Sequence, residues 1–210
     1  MKNKILQRIS YAFYLTSHPI KGFWGLKNEN IGDVKIATVF LFFLTFVTVL
    51  SKQYTAYLFR SVPVQEVNLL QEVSIVLLLF MGWCVANWCL TTLFEGEGRF
   101  RDIYIATAYA LVPYSVVTLF MIPLSYMFTM DEMSLYNGIG YLVLFWTAVL
   151  IICSVLVTHQ YTLSKSLLMI VCIILCMCMF AFIILLFFNL IQQITGFITN
   201  LEHEISLRMT

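Results

Sequence analysis

The residues equipped for chemistry crowd into one short segment, Glu95-Gly-Glu-Gly-Arg-Phe-Arg-Asp-Ile-Tyr104, the densest polar run in this 210-residue chain. Glu95 and Glu97 are the residue types of a general acid–base pair, but that chemistry needs a nucleophile or metal ligand arranged around it, and none is. Asp102 falls where a helix begins, and there a carboxylate answers orphan amides and the positive helix end. Gly96 and Gly98 permit a tight reversal. The segment therefore reads first as a structural turn. In function it reads as a contact surface formed by Glu95, Glu97, Arg99, Phe100, Asp102 and Tyr104 together with Phe23 and Trp24.

The other reactive side chains point the same way. His159 is of the residue type that can titrate near neutral pH, but a relay needs acidic partners, and the apolar stretches around it contain none. Cys84, Cys89, Cys153, Cys172, Cys176 and Cys178 all lie in apolar sequence, where thiols behave as small hydrophobic groups. Cys172, Cys176 and Cys178 lack a nearby His or carboxylate to complete a metal site, and a disulfide framework belongs to short secreted chains. No catalytic residue, cofactor or metal is expected, and an enzyme is not the expected function.

These residues must be positioned by membrane-spanning helices. Five stretches, Ile36 to Ser51, Val73 to Phe94, Ile103 to Phe128, Ile139 to Val157 and Leu167 to Phe188, contain no charged residue. A helix crosses about 30 Å of hydrocarbon in about 20 residues, so four stretches suffice as they stand. The first reaches that length by continuing past Lys52, which snorkels, to an end near Leu58, with Tyr54 and Tyr57 at the interface. With 61% hydrophobic and 11% charged residues, a soluble fold is excluded. The expected architecture is all-α and polytopic: a basic amphipathic segment over 1–35, a five-span domain over 36–198 and a short amphipathic tail over 199–210. Residues 1–35 show no removable signal peptide.

Orientation follows from the distribution of Lys and Arg. Nine of the twelve fall in segments on the N-terminal side of the bilayer, among them Lys21, Lys27, Arg99 and Lys165; only Lys52, Arg60 and Arg208 fall on the other. That bias places the N-terminus in the cytoplasm and, with five spans, the C-terminus outside. The basic face suits anionic lipid, and nucleic acid is not an expected partner.

Ile5, Ile9, Ala12 and Phe13 recur at helical spacing opposite Lys4, Gln7 and Arg8, as in a helix lying on the membrane surface. His18-Pro19 breaks it, and Gly22-Phe-Trp-Gly25 follows as an elbow with Trp24 at headgroup depth. Within the spans, Gly82 with Ala86 and Ala106 with Ala110 allow close helix approach. Asn87 must point into the bundle, as a tie between helices or as part of a polar cavity. Pro113 and Pro123 predict a kink at one or both positions in the third span. Asn87, Tyr109, Pro113 and Gln160 are the candidates for a polar groove through which a lipid or small solute would pass. Past the fifth span, Leu190, Ile194, Phe197, Leu201 and Ile205 oppose Asn189, Gln193, Gly196, Asn200 and Glu204, which predicts that the helix continues as an amphipathic tail.

The order of three segments, His18-Pro-Ile-Lys-Gly-Phe-Trp-Gly-Leu-Lys27, the Glu95 to Tyr104 run and Ala106-Thr-Ala-Tyr-Ala-Leu-Val-Pro113, resembles the bacterial branch of the Yip-domain (Ypt-interacting protein) family over nearly the whole chain. The resemblance implies five spans with a cytoplasmic N-terminus, in a bacterial plasma membrane. Eukaryotic members are linked to vesicle traffic and small prenylated GTPases through a long N-terminal region and an Asp-Leu-Tyr-Gly-Pro motif, both absent here. For the bacterial branch the resemblance implies an accessory membrane protein, with the permease of an ABC-type transporter among its candidate partners and a homo-oligomer left open. Reporter fusions test the topology: one after Thr210 is expected to be active only outside the cytoplasm, and cytoplasmic activity there overturns the orientation or the span count.

Overall fold

In the computed structural model, residues 2–29, 31–60, 67–91 and 93–209 are described, with side chains over 7–199 of these. The side chains of Lys4 and Ile5, and in the tail those of Asn200, Leu201, Glu204 and Ile205, lie outside the described residues. The described elements are eight α-helices with short 3-10 turns, and no strand occurs among the described residues. They are α1 (Lys2–Ser17), α2 (Pro19–Asn28), α3 (Val34–Tyr54), α4 (Leu69–Thr91), α5 (Phe100–Ala110), α6 (Val112–Leu124), α7 (Met133–His159) and α8 (Leu163–Met209). Five helical segments are long and apolar enough to cross a membrane: Val34–Tyr54, Leu69–Thr91, Phe100–Leu124, Met130–His159 and Leu163–Thr199.

The third span, built from α5 and α6, is the centre of the bundle. It packs against α3, α4 and α7, while α8 closes the ring between α4 and α7. Its small residues explain this place, since Ala106, Ala108 and Ala110 are all buried and let neighbouring backbones come close. The span breaks at Leu111, and Pro113 follows in the first turn of α6, where its missing amide is harmless. Pro123 stands inside α6, next to its end at Leu124. Tyr109, fully buried, lies edge-on to Phe40 with ring centroids 4.9 Å apart.

The N-terminal segment is two helices that fold back on the bundle. Pro19 opens α2 at a position that needs no amide, so the break expected at His18 joins two helices, and the expected Gly22 to Gly25 elbow lies within α2. The Tyr11 hydroxyl donates to the Gly22 carbonyl at 3.0 Å, tying α1 to α2. Ala12 and Leu15 are buried, while Ile9 and Phe13 are exposed, so α1 has one face on the protein and another turned outward. On α2, Phe23 and Leu26 are buried against the bundle and Trp24 is exposed.

The first span differs from its expected bounds at both ends. It starts at Val34 because Asp33 caps it, Oδ1 accepting from the Lys35 amide at 3.2 Å. It ends at Tyr54 rather than near Leu58, since Thr55 turns to extended backbone and Arg60 reaches back to donate to the carbonyls of Gln53 and Thr55 at 2.6 and 2.7 Å. At the other extreme α8 runs unbroken for 47 residues, about 70 Å. Ser166, Met169 and Ile173 are its buried positions, and every described residue after Phe180 is exposed.

Asp33 also joins α1 to the bundle, since its Oδ2 accepts from the Arg8 guanidinium at 2.5 Å. The Lys35 amide, and after it Arg8, hold the Asp33 carboxyl below the usual carboxylate range. A carboxyl depressed by folding contributes stability that is present above its unfolded value, near 3.8, and is lost as pH falls through the folded value. Thermal unfolding in detergent should therefore show a loss of stability below about pH 4 that Asp33→Asn reduces, with a cost of about 1 kcal/mol at neutral pH for Asp33→Ala. An unchanged acid limb in Asp33→Asn would remove the cap from this account.

Candidate functional site

The polar segment singled out in the sequence joins α4 to α5 at the end of the bundle that carries α1 and α2. Two helices stop there in the same way. At the end of α4, Glu95 adopts a left-handed backbone (φ 54°) and the Gly96 amide bonds the Thr91 carbonyl at 2.9 Å. At the end of α7, Gln160 is left-handed (φ 56°) and the Tyr161 amide bonds the Leu156 carbonyl at 3.0 Å. Both are six-to-one closures, which satisfy carbonyls that the helix leaves open. The left-handed positions are thus filled by Glu and Gln, and among the described residues no glycine has positive φ.

Gly96 and Gly98 are needed for space instead. A Cβ on Gly98 would stand 2.5 Å from Cε1 of His159, and one on Gly96 would strike Nδ1 of His159 and the Tyr161 hydroxyl. The Glu95 to Gly98 loop is therefore laid directly on these two rings, which stack with centroids 5.2 Å apart and 14° between planes. His159 is 1% exposed. Its Nε2 lies 2.9 Å from Oδ1 of Asn87, so with the amide in this orientation Nε2 carries the proton and donates. Asn87, 3% exposed, thereby ties α4 to α7 at the membrane edge. Nδ1 of His159 and the Tyr161 hydroxyl are buried without a hydrogen-bond partner. Burial and the nearby Glu95 charge raise the Tyr161 phenol, keeping it protonated, and the Lys165 ammonium stands 4.6 Å above its ring.

The remaining contact candidates surround this cluster. Lys27 of α2 reaches Glu97 at 3.2 Å, an ion pair whose carboxylate is mostly exposed and which is accordingly worth little in energy. Glu95, Arg99 and Trp24 are exposed; Phe23 is in the core. Phe100 and Trp88 meet edge to face at 6.2 Å, and Trp88 is itself exposed. Asp102 sits in the first turn of α5, whose cap position is Arg99. Tyr104 turns inward, its hydroxyl 3.1 Å from the Thr38 hydroxyl and its ring edge-on to Phe80.

The groove candidates do not converge on one cavity wall. Asn87 is committed to His159, and the Tyr109 hydroxyl is directed to the Arg8 carbonyl at 3.5 Å. Pro113 lies in the first turn of α6, and Gln160 is exposed in its left-handed turn. The larger cavities among the described residues, of about 240, 360 and 640 Å³, are lined by other residues. Sequence reasoning turned Asn87 into the bundle as a tie or cavity wall but missed its partner His159 and the places of Tyr161 and Lys27. The paired residues are 72 positions apart, so no local pattern links them; the signals in the sequence were the polar Asn87 in an apolar span and two glycines in a segment otherwise rich in charge.

Because the Asn87–His159 bond is buried, its two halves should not contribute independently. Asn87→Leu leaves the imidazole unpaired and is expected to cost about 1–3 kcal/mol in thermal unfolding. Asn87→Leu combined with His159→Leu should cost less than the two single changes added together, and strict additivity would show that the pair is not coupled.

A family model described as the Yip1 domain matches residues 13–186, from α1 to the middle of α8. No curated protein and no solved structure matches the chain. The match takes in the end of α1, α2, the clamped glycine loop, the first four spans and the first part of the fifth, and on that ground the chain is a multi-pass membrane protein belonging to the Yip1 domain family.

Proposed function

We propose that this chain is a non-enzymatic accessory protein of a bacterial plasma membrane, which docks on a membrane transport complex through the face formed by α2 and the Glu95 to Tyr104 segment. One observation carries the reading: this end of the bundle closes over the buried Asn87–His159 bond and the stacked His159 and Tyr161 rings, and leaves chemically varied groups outside. The loop rests on His159 and Tyr161, while Trp24, Trp88, Glu95 and Arg99 remain exposed. Exposed aromatic and Arg side chains on a fixed frame suit recognition of another protein, because little conformational freedom is lost on docking. The excess of Lys and Arg on this side supports a cytoplasmic position for the face. Within that orientation residues 1–35 form its cytoplasmic layer, 36–198 the membrane domain and 199–210 the tail on the far side.

The permease of an ABC-type transporter is the proposed partner, on the resemblance to the bacterial branch of the family, and a second copy of the chain is the competing one. The alternative function, passage of a lipid or small solute along Asn87, Tyr109, Pro113 and Gln160, has less support because Asn87 and Tyr109 are already engaged within the bundle. A photoreactive residue at Arg99, and another at Trp24, used in native membranes should capture a single stoichiometric membrane protein from both positions. Gly98→Val, which displaces the loop from His159, should abolish that capture. Labelling of lipid alone from both sites would overturn the accessory reading, and capture of the chain by itself would replace the permease with a homo-oligomer.

A further inference from the structure

The opposite end of the bundle holds a second site that the docking face does not explain. A cavity of about 240 Å³ opens where α3, α6 and α7 meet, and it is lined by Lys52, Arg60, Thr118, Tyr114 and Tyr136. Among the described residues, no carboxylate lines it. Among the described residues Glu72 approaches, 3.9 Å from the Lys52 ammonium, the outer limit of an ion pair. Glu132, on the turn before α7, is engaged with the amide and hydroxyl of Thr129. Arg60 donates to two backbone carbonyls, which fix its guanidinium in place without neutralising it. Among the described residues, no partner is found for the hydroxyls of Tyr114 and Thr118. Two cations beside unspent donors, at a membrane edge, form a receptor for a negatively charged oxygen-rich group.

A second cavity, of about 360 Å³, lies deeper, and its character is the reverse. Every one of the five spans contributes to it: Thr48 from the first, Phe80 from the second, Tyr114 from the third, Ile151 from the fourth and Met177 from the fifth. Tyr114 lines both cavities. Thr48 is one helical turn below Lys52, so the change from cationic to apolar takes about 6 Å along the membrane normal. That order, charge at headgroup depth and apolar space directly beneath, is the order of groups in a lipid. A free anion would use only the upper cavity and a neutral lipid only the lower.

We infer that Lys52, Arg60 and the five-span cavity beneath them form a binding site for one anionic phospholipid, its phosphate at the two cations and an acyl chain beside Tyr114, Ile151 and Met177. The site is independent of the docking face and stands or falls without it. Native mass spectrometry of the full chain in detergent tests it, with phosphatidylglycerol, chain-matched phosphatidylcholine and glycerol phosphate as probes. Phosphatidylglycerol should bind most tightly, and Lys52→Gln should weaken it about fivefold, the effect of one basic charge near a membrane surface, without changing phosphatidylcholine. Ile151→Trp, or Thr48→Phe should that variant fail to fold, fills the lower cavity and should weaken phosphatidylglycerol further. Arg60 holds the end of α3, so Lys52 is the better probe of charge. Equal binding of the two lipids, or full retention of phosphatidylglycerol by Lys52→Gln, would overturn the site. Glycerol phosphate binding as tightly as phosphatidylglycerol would reduce it to a site for free anions and overturn the amphiphile.

Discussion

In a bilayer no water is available to satisfy a polar group, so each must find its partner inside the chain or face the headgroups. That constraint orders this structure more than apolar burial does, because lipid tails cover exposed Leu and Phe as well as protein would. It explains why Thr45, Thr147 and Ser154 return their hydroxyls to carbonyls of their own helices. It explains equally why the break at Leu111 comes inside the most enclosed span, with α3, α4 and α7 around it. Asn87 and His159 meet the same demand across two helices, and by doing so they set where α4 and α7 end relative to each other.

Much of the architecture could be read in advance because hydrocarbon thickness fixes how long an apolar run must be. The five spans, the break near Pro113 and the inward Asn87 all follow from that one length and from the cost of unpaired polar groups. The ends were less legible. Asp33 two residues before Lys35 is an ordinary capping signal hidden by the search for apolar runs. The early stop of α3 depends on Arg60, whose reach to Gln53 and Thr55 is a tertiary event with no periodic signature.

The candidate site shows a different limit. Glycines in a charged turn suggest left-handed backbone, yet here Glu95 and Gln160 take the left-handed positions. Gly96 and Gly98 are required by what lies against them, a His and a Tyr brought from a distant part of the chain. Residue type at one position thus reported on neighbours that sequence could not identify. Phe23 and Trp24 illustrate the same point, since adjacent aromatics on α2 divide between core and surface, and the helix phase that separates them depends on α2 opening at Pro19.

The two ends of the bundle are built on opposite principles. Where α4 and α7 finish beside α2, side chains close on one another until a loop backbone touches an imidazole, and the exposed groups are presented from a fixed surface. At the far end α3 is held by Arg60, and a cationic cavity is left above an apolar one. Filling that space would have been simple, since a Leu or Phe at Thr48 would extend the core. A chain that instead places Lys52, 40% exposed, and Arg60 over an apolar groove presents cations and apolar surface one below the other. An occupant that is anionic at one end and apolar at the other matches both surfaces at once, and the surrounding bilayer contains such molecules.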